Sequence, residues 1–412
     1  MRYDTIIIGG GLAGLVSGIA LARGGSRVAI ISSGKSALHF FSGSFELLGE
    51  GVDGVASLAE KNPLHPYNKI GVQRIQRYTT LTKDIFARAG MPLVGDVEDN
   101  HLRLTPLGAL KPAWLTLDEY VTFDRGETSP WKSVAIVSIE GYLDFYPEFI
   151  ARGLEQMGVE CHTRSISLAE FNHLRRSATE MRAVNLSRVL KGDALREFAH
   201  KVREVLDGEE LVLLPAIFGL GEEEGLQIVE EIVGCRVKVA ATVSASASGV
   251  KMQKRLTEEF QSLGGVYIGG DRVVGCTIDG GGVVSLTTAN HEDVEFVADN
   301  YILATGSFFG RGIVASPEEV YEPIMGLDVL PRMARKEWYG EDILEAQPFQ
   351  RFGVATDGEL HPMIDGATIG NLYAVGSILA GADAVKEGCG AGVVITTALM
   401  AAESILAHKE KE

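Results

Sequence analysis

The sequence predicts a protein of the α/β class, in which parallel strands alternate with helices, and three observations at its start predict this. Thr5 to Ile8 is a short β-branched run, which is typical of a buried parallel strand. After a glycine-rich loop, apolar residues from Leu12 to Ala20 follow the i, i+3, i+4, i+7 spacing of a helix with one buried face. A second apolar run over 27–31 completes a strand–helix–strand unit.

The length and the charge limit the classes of function. The chain has 412 residues, which allows two or three domains. Its net charge is −17, and this acidic balance argues against a nucleic-acid partner, because binding to a phosphate backbone needs a basic surface. We therefore expect no nucleic acid among its partners.

The cysteines and the apolar runs indicate where the protein works. The four cysteines include no C-x-x-C pair, which argues against a zinc ribbon, an iron–sulfur cluster held by this chain alone and a disulfide scaffold. We expect a reducing compartment and no metal site. The first residues lack the apolar core of a signal peptide, and the longest uncharged run, 388–402, is shorter than a spanning helix. The sequence therefore predicts no direct membrane span.

The remaining patterns divide the chain into an outer and an inserted part. We expect residues 1–80 and 246–412 to form one discontinuous domain, and residues 81–245 to form an inserted α+β domain. The stretch 38–70 is rich in Ser, Gly, His and Pro and is predicted to be mostly a long loop. The elements expected after the insertion are helices over 251–263 and 393–407, a hairpin over 273–286, and strands over 293–297, 301–304 and 372–375.

The loop between the first strand and the first helix fits the pattern G-x-G-x-x-G. A strand before it and a helix after it are the context in which this pattern binds the phosphate of a nucleotide. The first glycine allows the tight turn, the second lets the backbone approach a phosphate, and the third lets the helix pack on the strand. The phosphate then lies on free N–H groups at the helix N-terminus. The expected phosphate-binding residues are Gly9, Gly10, Gly11, Leu12, Ala13 and Gly14.

The end of the second strand lacks the acidic residue that usually holds an adenosine ribose. In a Rossmann site this residue lies about 20 positions further along the chain and bonds the ribose 2′-OH. Here the position is Ser32, followed by Ser33 and Gly34, and a serine makes a weaker and less specific contact with the diol. Two interpretations stay open: a cofactor without adenosine, such as FMN, or FAD held by other contacts.

Two later strand ends and the start of the last helix resemble the closing motifs of flavoproteins with two dinucleotide-binding folds. The strand 301–304 leads into Thr305 and Gly306, and the strand 372–375 leads into Gly376 and Ser377. In such proteins the last helix points its N-terminus at the N1/O2 edge of the flavin, where reduced flavin carries negative charge. The cofactor contacts expected at this helix start are Gly388, Gly390, Ala391 and Gly392.

The order of these motifs predicts the type of fold. We expect a Rossmann-like FAD/NAD(P)-binding fold of the two-dinucleotide-binding flavoprotein type, with the inserted α+β domain between its two halves. The function expected from it is oxidoreduction with a bound flavin. Two alternatives stay open: an independent FAD-dependent oxidoreductase with its own substrate pocket, and a scaffold that keeps the fold without carrying electrons.

Several stretches between these motifs resemble a narrower family, the B subunits of the anaerobic glycerol-3-phosphate dehydrogenases. The stretches are Ser36–Ser44, His65–Tyr67, Leu104–Gly108, Gly141–Phe145, Leu214–Leu220 and Glu387–Gly390. The resemblance implies a noncovalent FMN and an FAD-containing catalytic partner, the A subunit, which oxidises sn-glycerol 3-phosphate to dihydroxyacetone phosphate. It also implies an iron–sulfur partner, the C subunit, which anchors the complex and passes electrons to quinone. The chain would then be cytoplasmic, peripheral to the inner face of the cytoplasmic membrane.

Four residues outside the glycine motifs are further candidates. Ser42, Gly43 and Ser44 occupy the place where related flavoproteins run a loop of small residues past the isoalloxazine ring, so we expect them to contact the flavin. His39 is a candidate for hydrogen bonding to the flavin or for proton transfer, with a structural histidine as the alternative.

Overall fold

The computed structural model describes residues 2–126, 128–177 and 179–409. The α-helices in these ranges are α1 Leu12–Arg23, α2 Val52–Lys61, α3 Tyr67–Ile70, α4 Val72–Arg88, α5 Pro147–Glu155, α6 Ala183–Val189, α7 Gly192–Glu204, α8 Gly225–Val233, α9 Ala247–Ser262 and α10 Gly390–Lys409. Short 3₁₀ helices cover Ala37–Phe40, Ala169–Phe171, Leu174–Arg176, Phe308–Gly310, Arg335–Glu337, Pro348–Arg351 and Gly376–Ile378.

The strands build two parallel sheets and several small antiparallel ones. In chain order the strands are β1 Arg2–Ile8, β2 Val28–Ser32, β3 Ser44–Phe45, β4 Leu93–Val94, β5 His101–Leu104, β6 Leu110–Ala113, β7 Leu115–Leu117, β8 Thr122–Phe123, β9 Ser133–Ile139, β10 Glu160–Ile166, β11 Leu211–Pro215, β12 Arg236–Ala240, β13 Val266–Gly269, β14 Val273–Asp279, β15 Gly282–Thr288, β16 Val297–Leu303, β17 Val314–Ala315, β18 Val320–Tyr321, β19 Val329–Leu330, β20 Gly353–Val354, β21 Met363–Ile364, β22 Ala367–Thr368 and β23 Leu372–Ala374.

The first parallel sheet has five strands and carries the glycine loop at its centre. Its order is β13–β2–β1–β16–β23, and every neighbouring pair is parallel. The chain moves from β1 to β2 and β13 on one side and returns to β16 and β23 on the other. The loop after β1 therefore lies at the point where the strand order reverses, and open α/β sheets bind ligands in that crevice.

The second parallel sheet has four strands and lies within the inserted part. Its order is β10–β9–β11–β12, again with parallel neighbours throughout. Two small antiparallel sheets, β3–β7–β4 and β6–β5–β8, add the mixed character expected of the insertion. The division of the chain at 80/81 and 245/246 stays a prediction, and α4 runs across the first of these positions.

Helices α1 and α10 pack against each other beside the five-stranded sheet. By length and composition alone α10 could cross a bilayer, but 61% of its apolar window is buried inside the protein. Its buried face is made of small and aliphatic residues, among them Ala398, Ala401 and Ile405. Helix α10 is therefore a core helix of this sheet.

The outer part of the chain follows the sequence prediction closely. Strands β1, β2, β16 and β23 and the hairpin β14–β15 overlap the predicted ranges, whereas β13 was not predicted. Helix α9 begins at Ala247 rather than at residue 251, because the Ser246 hydroxyl accepts a hydrogen bond from the Gly249 N–H and caps the helix. Helix α10 begins at Gly390 rather than at residue 393.

The prediction that 38–70 is mostly a loop is wrong. The stretch holds β3, α2 and α3 as well as a 3₁₀ helix. In α2 the buried residues Val52, Val55 and Leu58 recur at helical spacing. Glycines at positions 51 and 54 obscured this short apolar face.

The strand expected over 293–297 is also wrong. The Val294 N–H donates to the carbonyl of His291 in a turn, and Phe296 makes only an isolated bridge to Leu286. The strand itself, β16, begins at Val297. Acidic residues before that point favour a solvated turn over a buried parallel strand.

Candidate functional site

The loop between β1 and α1 has no room for side chains at its first and last glycines. Gly9 has φ +116°, and a Cβ built on it would lie 2.3 Å from the carbonyl oxygen of Ala304. A Cβ on Gly14 would lie 1.9 Å from the carbonyl oxygen of Gly9. The tight turn and the close helix–strand packing predicted for these glycines are therefore both present. Beside Gly11 the nearest atom to such a Cβ is the Cβ of Ser36, at 3.6 Å, so the backbone is open there.

Helix α1 presents its N-terminus at this open point. Gly11 is the N-cap residue and its lack of a side chain leaves the first N–H groups uncapped. The first turn, which includes Leu12 and Ala13, contains no acidic residue. The helix dipole and the free N–H groups therefore favour an anion here, and the loop fits a nucleotide phosphate.

The ends of β16 and β23 lie beside the glycine loop. A Cβ on Gly376 would lie 3.0 Å from the Cβ of Ala13, and one on Gly306 would lie 3.6 Å from the Ser377 hydroxyl. Within the described ranges the buried Thr305 hydroxyl has no hydrogen-bond partner. Because an unpaired buried hydroxyl is costly, a polar ligand atom at this edge would satisfy it. The two predicted strand ends thus meet the predicted phosphate loop, and the residues present fit a flavin nucleotide.

The end of β2 closes the other side of the loop. Ser32 is buried, and its hydroxyl donates a 3.3 Å hydrogen bond to the carbonyl of Gly34, while Ser33 and Gly34 are exposed. A Cβ on Gly10 would lie 2.7 Å from Ser32 Oγ and only 2.3 Å from the Tyr267 hydroxyl oxygen. Tyr267 lies on β13, and no local pattern in the sequence marks it as a site residue.

Helix α9 also supports the loop. The Gln253 side-chain amide donates a 2.8 Å hydrogen bond to the carbonyl of Gly10, and its oxygen accepts a 2.5 Å bond from the Ser36 hydroxyl. These two bonds join the glycine loop to the segment that follows β2. Sequence analysis missed Gln253 because it lies in an amphipathic helix far from the motif.

The predicted flavin loop at Ser42–Ser44 packs against the inserted part. Gly43 has φ +92°, and a Cβ on it would lie 2.4 Å from the ring of Tyr120. The Tyr120 hydroxyl donates a 2.7 Å hydrogen bond to Ser248 at the start of α9. Ser42 is half-buried and Ser44 is buried. The glycine is thus required by the aromatic ring that covers it.

A buried polar chain runs from Ser44 into the inserted part. The Thr116 hydroxyl donates a 2.8 Å hydrogen bond to Ser44 Oγ, and Thr116 Oγ1 lies 2.7 Å from His101 Nε2. Since the threonine proton goes to Ser44, His101 Nε2 is assigned as the donor to Thr116. Burial lowers the pKa of His101 to about 4, in agreement with the neutral form. Neither Thr116 nor His101 was predicted, because they reach Ser44 only through strand pairing.

The start of α10 is partly open and partly filled. A Cβ on Gly392 would lie 2.1 Å from the Tyr67 hydroxyl oxygen, and the Gly392 N–H donates to the carbonyl of Glu46 at 2.9 Å. Gly390 meets the Cβ of Ala384 at 3.1 Å, whereas a Cβ on Gly388 would find no atom closer than 3.7 Å. The predicted residues of this helix start, Gly388, Gly390, Ala391 and Gly392, therefore divide into a half-buried entrance at Gly388 and a first turn that is tightly packed at Gly390 and Gly392.

A buried contact between a histidine and a carboxylate lies beside this entrance. His65 Nε2 is 3.4 Å from a Glu387 carboxylate oxygen, which also accepts the Asp383 N–H at 2.8 Å. Burial raises the pKa of the Cys389 thiol, and the neighbouring Glu387 raises it further. Donor atoms of His65, Glu387 and Cys389 all lie within 4.8 Å of one another. The three side chains thus form a buried contact of an imidazole, a carboxylate and a thiol, in which the Cys389 thiol lies 3.7 Å from the Glu387 carboxylate.

His39 lies at the end of the 3₁₀ helix Ala37–Phe40. Burial lowers its pKa, and the positive charge of Lys35 lowers it further. Its carbonyl accepts the Ser246 N–H at 2.8 Å, so its backbone anchors the start of α9. The neutral imidazole could accept a proton, and a role in proton transfer stays a prediction.

Two open cavities lie beside the site rather than on the glycine loop. One, of about 360 Å³, is lined by aromatic residues that include Phe308, Trp338 and Phe349. The other, of about 600 Å³, is lined by residues 340–350 and 383–386. The first cavity adjoins the segment that follows Gly306, and the second adjoins the segment that precedes Gly388. They extend the site outward and are candidates for contact with another molecule.

Comparison with known proteins gives the family. The model of the family described as FAD binding domain matches residues 4–393. The chain is 39% identical to the anaerobic glycerol-3-phosphate dehydrogenase B subunit of Yersinia enterocolitica, with 100% of this chain and 99% of the relative covered. It is 36% identical to the protein of the same name from Pectobacterium carotovorum, over 98% of this chain and 99% of that one. Among solved structures it is similar to 3-ketosteroid delta1-dehydrogenase from Sterolibacterium denitrificans, with 9% identity, 99% and 100% of the two chains covered and a TM-score of 0.47.

The family model covers residues 4–393, and the curated relatives match the chain over almost its full length. They confirm the flavoprotein fold and the family resemblance expected from the motifs. The chain therefore belongs to the FAD binding domain family of flavin-binding oxidoreductases and, within it, to the B-subunit family of the anaerobic glycerol-3-phosphate dehydrogenases.

Proposed function

We propose that this chain is the flavin-carrying subunit of an anaerobic glycerol-3-phosphate dehydrogenase complex. Electrons from the oxidation of sn-glycerol 3-phosphate to dihydroxyacetone phosphate would pass through its flavin towards a membrane quinone. The observation that carries the proposal is the meeting of the uncapped start of α1 with the strand ends at Thr305 and Gly376 at one sheet edge. Family membership over the whole chain supports the choice of substrate.

The chain's own residues would bind and orient the flavin. The N–H groups after Gly11 would hold a phosphate, and the Thr305 hydroxyl would donate to a polar atom of the cofactor. The start of α10 would place a positive helix end near the pyrimidine edge, where reduced flavin is negative. When bound, the flavin supplies the ability to accept an electron pair and to release electrons to a further carrier.

FMN is the proposed cofactor, and FAD is the alternative. The choice rests on the end of β2, where Ser32 occupies the position of the acidic residue that usually bonds an adenosine ribose. The Ser32 hydroxyl already donates a hydrogen bond to the carbonyl of Gly34. FMN needs only one phosphate site, and the start of α1 provides one.

The proposed partners are the A subunit, which is catalytic and contains FAD, and the C subunit, which is an iron–sulfur membrane anchor. Through them the chain would lie at the inner face of the cytoplasmic membrane. An exposed apolar surface that precedes Gly388 supports such an assembly: Ile343 is 86% exposed, Leu344 78% and Val385 72%, and all three line one cavity. Large exposed side chains grouped in this way are typical of protein–protein contacts.

The first test is to purify the chain, denature it and identify the released flavin by mass. FMN supports the proposal in full, whereas FAD would favour an independent FAD-dependent oxidoreductase. We expect the isolated chain not to bind glycerol 3-phosphate, and reduction of a dye by glycerol 3-phosphate to require a co-produced A subunit. Saturable binding or turnover by this chain alone would contradict the proposal.

The partner surface is tested by a matched pair of variants in the co-produced complex. Leu344→Asp places a charge in the apolar surface and is therefore expected to weaken copurification of the A subunit. Leu107→Asp, on a side chain that is 60% exposed in the inserted part, is the control and should leave copurification unchanged. Equal behaviour of the two variants would place the interface elsewhere.

A further inference from the structure

Tyr267 reaches from the outer strand of the five-stranded sheet to the glycine loop. It pairs with Ile30 in the register of β13 and β2, and two residues later Gly269 pairs with Ser32. A Cβ on Gly10 would lie 2.3 Å from the Tyr267 hydroxyl oxygen and 2.7 Å from Ser32 Oγ. The tyrosine hydroxyl therefore lies directly against the Gly10 backbone and beside Ser32.

This is the space that a dinucleotide needs. In a Rossmann site the pyrophosphate lies on the glycine loop, and the adenosine ribose lies between that loop and the end of the second strand. In this chain the end of the second strand is Ser32 and the adjoining loop residue is Gly10, so the ribose position falls where the Tyr267 hydroxyl lies.

The backbone at this point is held in place from two sides. Gln253 of α9 donates to the carbonyl of Gly10 and accepts from Ser36, so movement of the loop away from the tyrosine would break the bond between Gln253 and Gly10. At Gly11, by contrast, the nearest described atom to an added Cβ is the Cβ of Ser36, at 3.6 Å. The groove is thus open at the phosphate position and closed at the adenosine end.

We infer that Tyr267 closes the adenosine end of the nucleotide groove and makes the site selective for a flavin mononucleotide. The inference rests on the proposed function, because it takes the glycine loop to be the flavin phosphate site. The Tyr267 side chain excludes the second nucleotide because its hydroxyl end fills the space beside Gly10 and Ser32. Selectivity for FMN then comes from Tyr267 of β13 as well as from Ser32 at the end of β2.

The experiment is a titration of the flavin-free full chain with FMN and, separately, with FAD. Binding is monitored by the change in flavin fluorescence. For the natural chain we expect the Kd for FAD to exceed that for FMN by at least about tenfold. Tyr267→Ala should reduce this ratio by about tenfold or more, mainly by improving FAD binding, because it opens the ribose space. Tyr267→Phe keeps the ring but loses the hydroxyl that lies against Gly10, so it should reduce the ratio by less than Tyr267→Ala does.

Val266→Ala is the matched control, since Val266 is the preceding residue of the same strand and is 41% exposed. It should behave as the natural chain. A second measurement needs no variant: ADP at millimolar concentration should leave FMN bound to the natural chain, because the adenosine position is closed.

Equal affinities for FMN and FAD, an unchanged ratio in folded Tyr267→Ala, or displacement of FMN by ADP would each overturn the inference. Tighter binding of FAD than of FMN would overturn it while leaving the flavin-carrying function in place. Binding of neither nucleotide would overturn both the inference and the proposed function.

Discussion

The five-stranded and the four-stranded sheet both begin with a parallel strand followed by a helix, β1–α1 in the first and β9–α5 in the second. In the first, a glycine loop leads into a helix whose first turn has no acidic residue. In the second, residues 140–146 lead into a helix that begins at Pro147 and carries Glu148 in its first turn. Proline removes a free N–H, and the glutamate already interacts with the helix dipole. An anion is therefore favoured at α1 and disfavoured at α5.

The two sheets differ in the same way at the edge where a ligand would enter. In the first sheet the loop carries no side chains where it meets β16 and β23. In the second, the segment after β9 buries Tyr142 and Asp144, and Asp144 pairs with Arg182, the N-cap residue of α6. Parallel topology creates a crevice in both sheets, but the side chains after the first strand decide whether a nucleotide can occupy it.

The largest expected effect comes from breaking the packing that the first sheet depends on. Gly14→Ala would place a Cβ 1.9 Å from the carbonyl oxygen of Gly9, so α1 has to move away from β1. We expect the free energy of unfolding to fall by about 3 kcal/mol or more, and flavin affinity to fall at least about tenfold. Thermal unfolding and flavin titration measure both. In Gly358→Ala, where the added Cβ has no atom within 4 Å, neither quantity should change, and equal effects would contradict the packing argument.

The next effect concerns the buried hydrogen bonds that join Ser44 to Thr116 and His101 in the inserted part. Burial lowers the pKa of His101 to about 4 from its ordinary 6.5, with Asp124 opposing the shift. Between about pH 6.5 and pH 4 the imidazole is therefore protonated in the unfolded chain but not in the folded chain. The contribution of this group to the free energy of unfolding is complete above about pH 6.5 and is lost as the pH falls towards 4. The loss attributable to this group is up to about 3 kcal/mol.

His101→Gln should flatten this dependence in denaturant unfolding measured between pH 7 and pH 4.5. His408→Gln, in the exposed last turn of α10, is the control and should keep the slope of the natural chain. The same slope in His101→Gln and in the natural chain would show that the ring is not held neutral in the fold.

The smallest expected effect concerns the pair of Asp144 and Arg182 at the second sheet. Asp144→Asn removes the charge that pairs with Arg182 but keeps the shape of the side chain. Because Arg182 is 46% exposed and water can solvate it, we expect a loss of about 1 kcal/mol in unfolding free energy. Flavin affinity should be unchanged. A fall in flavin affinity larger than about threefold would mean that the second crevice is coupled to the first.

The outer part of the fold was predictable because its signals are local. A β-branched strand, a glycine loop and an apolar helix lie within a few residues of one another, and each glycine at positive φ marks a turn by itself. The same reasoning failed over 38–70, where short helices carry too few apolar residues for a clear period. It also missed the parallel pairing of the second sheet, because strand order is not encoded in any single strand.

The site divides along the same line. The residues of the glycine loop and of the strand ends at Thr305 and Gly376 could be named from the sequence, since backbone sterics allow little else at those positions. Tyr267, Gln253 and the residues that support Ser44 could not be named, since they meet the loop only through sheet register and helix docking.

What the sequence by itself determined is therefore the phosphate-binding end of the site: a strand, a loop free of side chains and a helix N-terminus, all local consequences of where glycine stands. Only the tertiary structure decided the other end. The order β13–β2–β1 brings Tyr267 to Gly10, and the packing of α9 brings Gln253 to the same peptide. Contacts between residues so far apart in the chain depend on how strands are ordered and paired, and local side-chain patterns carry no information about that order.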